Sequence, residues 1–576
     1  MDISAASADR ATLRPGARDA EWWKSAVVYQ VYPRSFADGD GDGVGDLTGL
    51  LAHLDHIAEL GVDVLWLSPV YRSPQADNGY DISDYQAVDP LFGSLEDLDE
   101  VIKAVHRRGM KLIMDLVVNH TSDEHPWFVD SRRARDSARA DWYFWRDARA
   151  GCVGGEPGAE PNNWGSVFSG SAWQWVADRD QYYLHLFGSK QPDLNWDNSQ
   201  VRDAVFTMMK WWLDRGIDGF RMDVINFISK DPALPDGPVT ATGYGDGMPY
   251  FSYGPQIHEY LAEMKSRVFD GRPGSYLTVG EMPGVTPQQA RRFTDRISGQ
   301  LDMVFQFEHV ALDQDGDKWT HRPLSVRDLR RTLGRWQTAL ADTGWNSLYW
   351  NNHDQPRVVS RYGDDRVHWR ESATALATVL HLHRGTPYIY QGEELGMTNV
   401  AFTAIEDFRD IESLNYFADA VGRLGQEPAD VLATLRRKSR DNARTPMQWT
   451  NRPGAGFSDA TPWIPVNPNH TWLNAADQTA DPGSVYHHYR ALIALRHADP
   501  VVVDGNFTLV QTERADLYAF RRTLGDRCLE VFANLSDRTA PMDDVSASAE
   551  LILSNYATAA PAPGELAPWE ARVYRN

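Results

Sequence analysis

The sequence is poor in cysteine and has no long apolar run. Its 576 residues include two cysteines, Cys152 and Cys528, too few for a disulfide framework or a structural zinc site. The first twenty residues lack an apolar segment of the signal-peptide kind, and no run elsewhere reaches the about 18 apolar residues that a bilayer span needs. We therefore expect a cytoplasmic protein with no membrane partner, in which residues 1–20 form a polar tail.

The sequence also has fewer basic than acidic residues. Asp and Glu number 80 against 57 Lys and Arg, which gives a net charge of −23 at pH 7. Such a surface repels nucleic-acid phosphates and anionic lipid headgroups, so no nucleic-acid partner is expected. Apolar residues make up 42% of the chain, as in ordinary globular proteins, so a sizeable core is expected.

From about Trp22 onward, short β-rich runs alternate with amphipathic stretches, the pattern of βα units around a parallel sheet. One such stretch places Leu98, Val101, Ile102 and Val105 at helical spacing. The candidate strands are 27–32, 64–68, 112–119, 219–223, 277–281, 303–307, 348–351 and 388–390. Eight strands of this kind predict an α/β fold, a closed (β/α)₈ TIM barrel.

Two segments depart from this alternation. Residues 121–196, after the third strand, are rich in Gly, Pro, Asn and Trp without helical period, which predicts an inserted domain B on a βα loop. The barrel is then expected over 21–120 and 197–503. Residues 504–576 return to short β-rich runs separated by turn residues, which predicts a C-terminal antiparallel β-sandwich.

Polar residues end four of the predicted strands. The runs DLVVNH, GFRMD, TVGE and NNHD, which end at residues 120, 223, 281 and 354, each finish in a carboxylate or a histidine. Capping of the following helix would explain one such strand-end residue well. It is a poor explanation for four of them. Because the active site of such a barrel lies at the C-terminal ends of its strands, we expect one shared polar pocket.

Three carboxylates in these runs, Asp223, Glu281 and Asp354, would converge with Arg221 beside them. Converging carboxylates suit the cleavage of an acetal, where one ion attacks or stabilises an oxocarbenium-like centre and a protonated partner donates to the leaving oxygen. Like charges held close raise one another's pKa, whereas Arg221 would keep Asp223 ionised. Glu281 is then the expected proton donor.

These runs, taken with their flanks, resemble a known family. DLVVNH, GFRMDVINF, VGEMPGV and NNHDQPR resemble the four signature regions of the α-amylase superfamily, glycoside hydrolase family 13, and QPDLNW at 191–196 resembles the marker of its oligo-1,6-glucosidase subfamily. Their order, spacing and strand context agree from about Trp22 to the C-terminus. The resemblance implies a retaining α-glucosidase with Asp223 as nucleophile, Glu281 as acid and then base, and Asp354 as stabiliser of the transition state.

The resemblance also implies a pocket closed around one terminal glucosyl unit. The residues that would contact this unit are Tyr80, His120, Phe187, Gln191, Arg221 and His353. Asp77 and Arg440 would bind the hydroxyls of the non-reducing end, because carboxylate and guanidinium together offer acceptors and donors. This implied closure predicts an exo-acting enzyme. A strand-end histidine with a purely structural hydrogen bond stays the alternative for His120 and His353.

An acidic loop near the N-terminus is a candidate metal site. It begins like an EF-hand, but its twelfth position is Gly49 rather than Glu, so a true EF-hand is not expected. The loop resembles instead the calcium loop of the subfamily, which implies a structural calcium ion. The implied ligands are the carboxylates of Asp38, Asp40, Asp42 and Asp46 and the carbonyl of Val44. A solvated acidic turn is the alternative, and no organic cofactor is implied.

The residue after the implied nucleophile bears on linkage. In the subfamily a valine at the position of Val224 accompanies preference for α-1,6 linkages, while threonine or alanine accompanies α-1,4. A methylene-sized change in a pocket is worth about 1 to 3 kcal/mol, so preference rather than exclusion is expected. We therefore expect hydrolysis of α-1,6-linked glucose from the ends of short oligosaccharides. Substantial α-1,4 or sucrose activity and transglucosylation stay open.

Two other functions are weighed against this one. Sucrose isomerases share nearly all of these motifs but carry an arginine-rich loop after the sixth strand, and the corresponding run here, FEHVALDQDGDKW at 307–319, has no arginine. A non-catalytic sugar-binding or scaffold relative would show a membrane anchor and eroded carboxylates, and the sequence has neither. The expected partner is a small oligosaccharide, and the expected state is a monomer or small homo-oligomer.

Overall fold

The computed structural model describes residues 19–543, 545, 548–556 and 564–576. The predicted tail, residues 1–20, lies outside this range except for its last two residues, which open the 3₁₀ segment Asp19–Lys24. Within the described residues, no helix combines the length and the apolar composition that crossing a bilayer requires.

Eight parallel strands form the central sheet. They are Val28–Val31, Val64–Leu67, Lys111–Val117, Gly219–Asp223, Leu277–Glu281, Met303–Phe305, Ser347–Leu348 and Thr386–Tyr390. Strands adjacent in the chain pair with one another, and the eighth strand pairs with both the first and the seventh. A parallel bridge between Val304 and Asn346 joins the sixth strand to the seventh. The sheet is therefore closed, which confirms the predicted (β/α)₈ barrel.

Helices lie around the barrel and within its loops. The longer ones are Leu47–Leu60, Leu95–Arg107, Ser199–Arg215, Ile257–Met264, Pro287–Phe293, Val326–Ala339, Trp369–His381, Ile411–Gly422, Pro428–Lys438 and Val485–Ala498. Shorter ones are Pro126–Arg133, Met248–Phe251, Val358–Tyr362, Asp441–Arg444, Ala475–Ala480 and Pro500–Asp504, and a π-helical turn spans Lys265–Phe269. The helix after the second strand begins at a capping box in which Ser94 and Asp97 bind each other's backbone N–H groups.

The loop after the third strand carries a small sheet of its own. Its antiparallel strands are Trp145–Arg146, Trp173–Val176 and Gln181–Leu184, with the last in the middle. A cluster of aromatic side chains, including Trp164 and Trp173, packs beneath this sheet together with Val224 and Phe227 from the loop after the fourth barrel strand. The insertion thus rests on the segment that follows the predicted nucleophile. Two short hairpins, Tyr71–Arg72 with Asp84–Val88 and Gln314–Asp315 with Asp317–His321, complete the barrel's loops.

The C-terminal region is an antiparallel sheet domain, as predicted. Its five-stranded sheet contains Asn506–Val510, Leu517–Leu524, Arg527–Asn534, Glu550–Ser554 and Ala571–Arg575, and a two-stranded sheet contains Ala540–Pro541 and Glu565–Leu566. One face of the large sheet packs Leu517 and Phe532 against Met542 and Leu566 of the smaller layer. Side chains of the opposite face, including Phe520, join the main core of the barrel.

Candidate active site

The C-terminal ends of the barrel strands open into a cavity of about 300 Å³. Ten of the predicted catalytic and substrate-binding residues line it: Asp77, Tyr80, His120, Phe187, Gln191, Asp223, Val224, Glu281, Asp354 and Arg440. The other two, Arg221 and His353, are fully buried and contact the lining residues from behind. The structure therefore brings all twelve together.

A buried arginine joins the carboxylates of three neighbouring strands. Arg221 Nη1 lies 2.6 Å from Asp223 Oδ1 and 2.6 Å from Asp115 Oδ1, and its Nη2 lies 2.7 Å from Glu281 Oε1. The pleat explains this grouping, because residues 221 and 223 of one strand point to the same face. Asp115 is the registered partner of Arg221 on the third strand, and the register of the fifth strand places Glu281 beside Asp223.

The surroundings favour the neutral form of Glu281. Burial, with added repulsion from Asp223 and Asp354, raises the pKa of Glu281 to about 8 even though Arg221 opposes the shift. We expected Arg221 to distinguish Asp223 from Glu281. The structure corrects this expectation, because the guanidinium contacts both carboxyls and the burial of Glu281 is what keeps its proton on.

Asp354 lies in the opposite electrostatic environment. Burial would raise its pKa, but His353, Arg440 and Arg444 outweigh burial and hold the pKa well below its ordinary value. Arg444 Nη2 lies 2.7 Å from Asp354 Oδ1, and His353 Nε2 lies 3.1 Å from Oδ2. The site thus holds one carboxyl that is protonated at neutral pH beside one that stays ionised, the division of roles that acid-assisted acetal cleavage needs.

His353 is fixed in place by partners on all sides. Its Nδ1 lies 2.8 Å from the amide nitrogen of Gln30, which is a donor, so Nδ1 accepts and the proton of a neutral ring lies on Nε2, toward Asp354. Its ring stacks on Tyr80 at 5.0 Å between centroids, with Tyr32 stacked at 5.9 Å. Gln30, on the first strand, was not predicted as a site residue.

The wall of the cavity comes partly from the inserted loop. Gln191 Nε2 donates to Asp77 Oδ2 at 3.1 Å and to the Tyr80 carbonyl at 3.3 Å. His120 Nε2 lies 3.0 Å from that same carbonyl, and the Phe187 ring lies 5.2 Å from the His120 ring. The predicted wall residues therefore form one connected network, and the QPDLNW run supplies Gln191 to it.

Arg440 lines the cavity beside Asp77. It donates to Asp77 Oδ1 at 2.9 Å and lies 3.3 Å from Asp354 Oδ1. It also donates to Asp410 Oδ1 at 2.5 and 2.8 Å, and its guanidinium lies 4.7 Å from the Phe168 ring centroid. Sequence reasoning missed Asp410 and Phe168, which follow no strand-end or motif signal. Arg444 was also missed, although it lies in the same KSRDNARTPMQW run as Arg440.

The acidic loop brings together three of its five predicted ligands. Oxygens of Asp38, Asp40 and Asp42 lie within 4.8 Å of one another. Asp46 caps the helix Leu47–Leu60 by accepting from the Gly49 N–H at 2.7 Å, and its second oxygen accepts from the Gly39 N–H of the same loop at 2.8 Å. Val44 contacts the loop through its N–H, which donates to Asp42 Oδ1 at 2.7 Å.

Comparison with known proteins agrees with this geometry. Residues 30–505 match the family described as alpha amylase, catalytic domain. The chain belongs to the alpha-amylase family. Residues 508–573 of this family member match a separate domain of unknown function, DUF3459, which coincides with the C-terminal sheet domain.

Relatives of this alpha-amylase family chain are similar over nearly their whole length. It is 53% identical to an oligo-1,6-glucosidase of Parageobacillus thermoglucosidasius, over 96% of this chain and 99% of that protein. It is 51% identical to an oligo-1,6-glucosidase of Bacillus cereus, over 97% of this chain and 100% of that protein. Among solved structures, trehalose-6-phosphate hydrolase of Bacillus licheniformis superimposes with a TM-score of 0.89 at 44% identity, over 96% and 99% of the two chains. A trehalulose synthase superimposes with a TM-score of 0.91 at 42% identity, over 97% of this chain and 100% of that chain.

Proposed function

We propose that this protein is a retaining, exo-acting α-glucosidase that releases terminal glucose from short oligosaccharides and prefers α-1,6 linkages. The observation that carries the proposal is the grouping of Asp223 and Glu281 around one guanidinium, with the pKa of Glu281 raised to about 8 by burial. Such a site presents a nucleophile and a protonated acid to the same acetal at neutral pH.

The proposed reaction has two displacement steps. In the first, Asp223 bonds to the anomeric carbon while the bond from that carbon to the leaving oxygen breaks, and Glu281 gives its proton to that oxygen. In the second, Glu281 takes a proton from water, whose oxygen displaces Asp223 and releases glucose with its configuration retained. Asp354, held ionised by its cationic neighbours, stabilises the positive charge that develops on the sugar ring in both steps.

Exo-action is supported by the ion pair of Asp77 and Arg440 in the wall of the cavity. We infer that this pair closes the cavity on the non-reducing side of the bound sugar and leaves no room there for a further sugar unit. The cavity volume of about 300 Å³ is at the lower end of small-molecule sites and suits one sugar unit at the closed end.

The α-1,6 preference is supported by Val224, which lines the cavity next to the predicted nucleophile, and by the relatives that are named oligo-1,6-glucosidases. Hydrolysis and transfer to a second sugar share the same glucosyl-enzyme intermediate. We therefore infer a hydrolase with some transglucosylation, since a sugar hydroxyl can take the place of water in the second displacement.

We also infer a structural calcium ion in the acidic loop. Asp38, Asp40 and Asp42 offer carboxylate oxygens, the ligand type that calcium prefers, at distances that one ion can bridge. The ion would neutralise their mutual repulsion and hold the loop against the start of the helix Leu47–Leu60. A cytoplasmic setting is inferred from the two free cysteines, of which Cys152 is exposed.

The proposal is tested by following products with time-resolved NMR for isomaltose, maltose and sucrose. We expect glucose released first as the α-anomer, fastest from isomaltose, with transfer products at high substrate concentration. The matched control is Asp223→Asn, which keeps the shape of the side chain and should lose nearly all activity. Release of the β-anomer, or full activity in this variant, would refute the proposed mechanism.

A further inference from the structure

Val224 has a backbone conformation that is rare for its residue type. Its φ of 33° and ψ of 43° lie in the left-handed region. A β-branched side chain is crowded by its own backbone in that region, so the conformation persists only where the surroundings impose it. Such strain is concentrated at functional sites, and here it lies directly after the predicted nucleophile.

Three contacts impose this conformation. The Phe227 N–H donates to the Val224 carbonyl at 2.8 Å, which closes a tight turn. Asn226 Nδ2 donates to the Pro283 carbonyl at 2.9 Å and thereby ties this turn to the loop that follows Glu281. The Val224 side chain is buried in the aromatic cluster beneath the inserted sheet. The loop after the fourth strand is therefore fixed relative to the fifth strand.

The consequence of this turn is a hydrogen bond to the predicted acid. The Val224 N–H donates to Glu281 Oε2 at 3.2 Å, while the other oxygen, Oε1, faces the cationic Arg221 at 2.7 Å. A proton on the carboxyl avoids the oxygen that faces a cationic donor, so it resides on Oε2. The Val224 N–H occupies one acceptor direction of that oxygen, which leaves the other direction for the proton.

We propose that the main-chain N–H of Val224 is a positioning group for the acid, and that it directs the protonated Oε2 of Glu281 at the leaving oxygen. This inference rests on the proposed glucosidase function. As the bond between the anomeric carbon and the leaving oxygen breaks, its electron pair stays on that oxygen, which takes the proton from Oε2. In the second step Oε2 takes a proton back from the attacking water. This positioning role belongs to the main chain. It is separate from the effect of the valine side chain on the preference between α-1,6 and α-1,4 linkages.

The test compares Val224→Ala with Val224→Gly. Both variants lose the buried methyl groups and keep the contacts that impose the turn, but the Cβ of alanine limits the other backbone conformations open to residue 224, whereas glycine can leave the turn for many of them. Each is assayed on isomaltose, which needs the acid, and on 2,4-dinitrophenyl α-glucoside, whose leaving group needs no proton. We expect kcat/KM of the glycine variant on isomaltose to be about tenfold below that of the alanine variant, with no such gap on the activated substrate.

Two further measurements separate positioning from a general structural role. The Val224 hydrogen bond favours the ionised form of Glu281, so the alkaline limb of the pH profile should lie at higher pH in the glycine variant than in the alanine variant. The glycine variant should also melt no lower than the alanine variant, because glycine accepts a positive φ without strain. The inference would be overturned if the ratio of kcat/KM on isomaltose to kcat/KM on the activated substrate were the same in both variants and their alkaline limbs lay at the same pH. Wild-type protein that fails to cleave isomaltose would instead overturn the proposed function.

Discussion

Asp410 shows how one residue connects the binding site to its scaffold. Its Oδ1 accepts two hydrogen bonds from Arg440, and its carboxylate also accepts from the backbone N–H groups of Glu412 and Ser413, which caps the helix Ile411–Gly422. Although burial opposes ionisation, Arg440 and Arg444 lower the pKa of Asp410, so it is an anion among buried cations. The orientation of Arg440 toward the closed end of the cavity therefore depends on this charge.

We predict that Asp410→Asn raises KM for isomaltose about tenfold with a smaller effect on kcat, since a lost charge-assisted hydrogen bond is worth about 1.5 to 3 kcal/mol. Asparagine also caps helices well, so the melting temperature should fall only by what the lost buried charge contributes. The matched control is Asp410→Ala, which removes the cap as well and should lower the melting temperature further. Steady-state kinetics and thermal melts distinguish the two effects, and an unchanged KM in the asparagine variant would contradict the argument.

Individual site residues were predictable where they follow apolar strand runs. Asp223 and Glu281 end such runs, and the pleat and register then place them at one level of the barrel. Asp354 follows the seventh run and reaches the same cavity from the loop beyond the paired residues. Asp410 was not predictable in this way, because it precedes a helix and reaches the site only through the folding of a long loop. Gln30 lies inside a strand run, where a single polar residue gives no sign of which side chain it will meet.

At the scale of the element, strand positions followed directly from the apolar runs. The fourth and fifth strands have the predicted bounds, whereas the seventh is only Ser347–Leu348 instead of the predicted 348–351. Tyr349 and Asn351 follow Leu348, the last residue of this strand that pairs with the eighth strand. The hairpin at 314–321 gave no alternating pattern, because its residues are mostly polar and partly exposed.

The acidic loop and the helix after it form one element whose stability should depend on calcium. We predict that calcium raises the melting temperature of chelator-treated protein by several degrees, because an ion that binds only the folded loop stabilises the folded state. Asp40→Asn should abolish this response, since Asp40 accepts one backbone hydrogen bond within the loop and does not cap the helix. Asp46→Asn keeps a capping side chain and serves as the control. An identical melting temperature with calcium and with chelator would exclude the site.

At the scale of the whole molecule, a buried carboxyl joins the barrel to the helix that leads into the C-terminal domain. Glu393 follows the eighth strand, and its Oε1 accepts a hydrogen bond of 2.9 Å from Tyr489 on the helix Val485–Ala498. Its Oε2 has no hydrogen-bond partner within the part of the chain that the structure describes. Burial, with repulsion from Glu394, raises the pKa of Glu393 to about 8.

This shift predicts a loss of stability at alkaline pH. The folded-state pKa of about 8 exceeds the ordinary value of 4.5, so Glu393 favours the folded state fully below pH 4.5, and this contribution declines from pH 4.5 upward until it is lost as pH passes 8. Glu281 contributes with the same sign. Glu393→Gln keeps the acceptor for Tyr489 but cannot ionise, so its melting temperature should fall less than that of wild type between pH 6 and pH 9. Parallel declines in the two proteins would show that the pKa of Glu393 is not raised in the folded state, and that the joint between barrel and C-terminal domain is not what rising pH weakens.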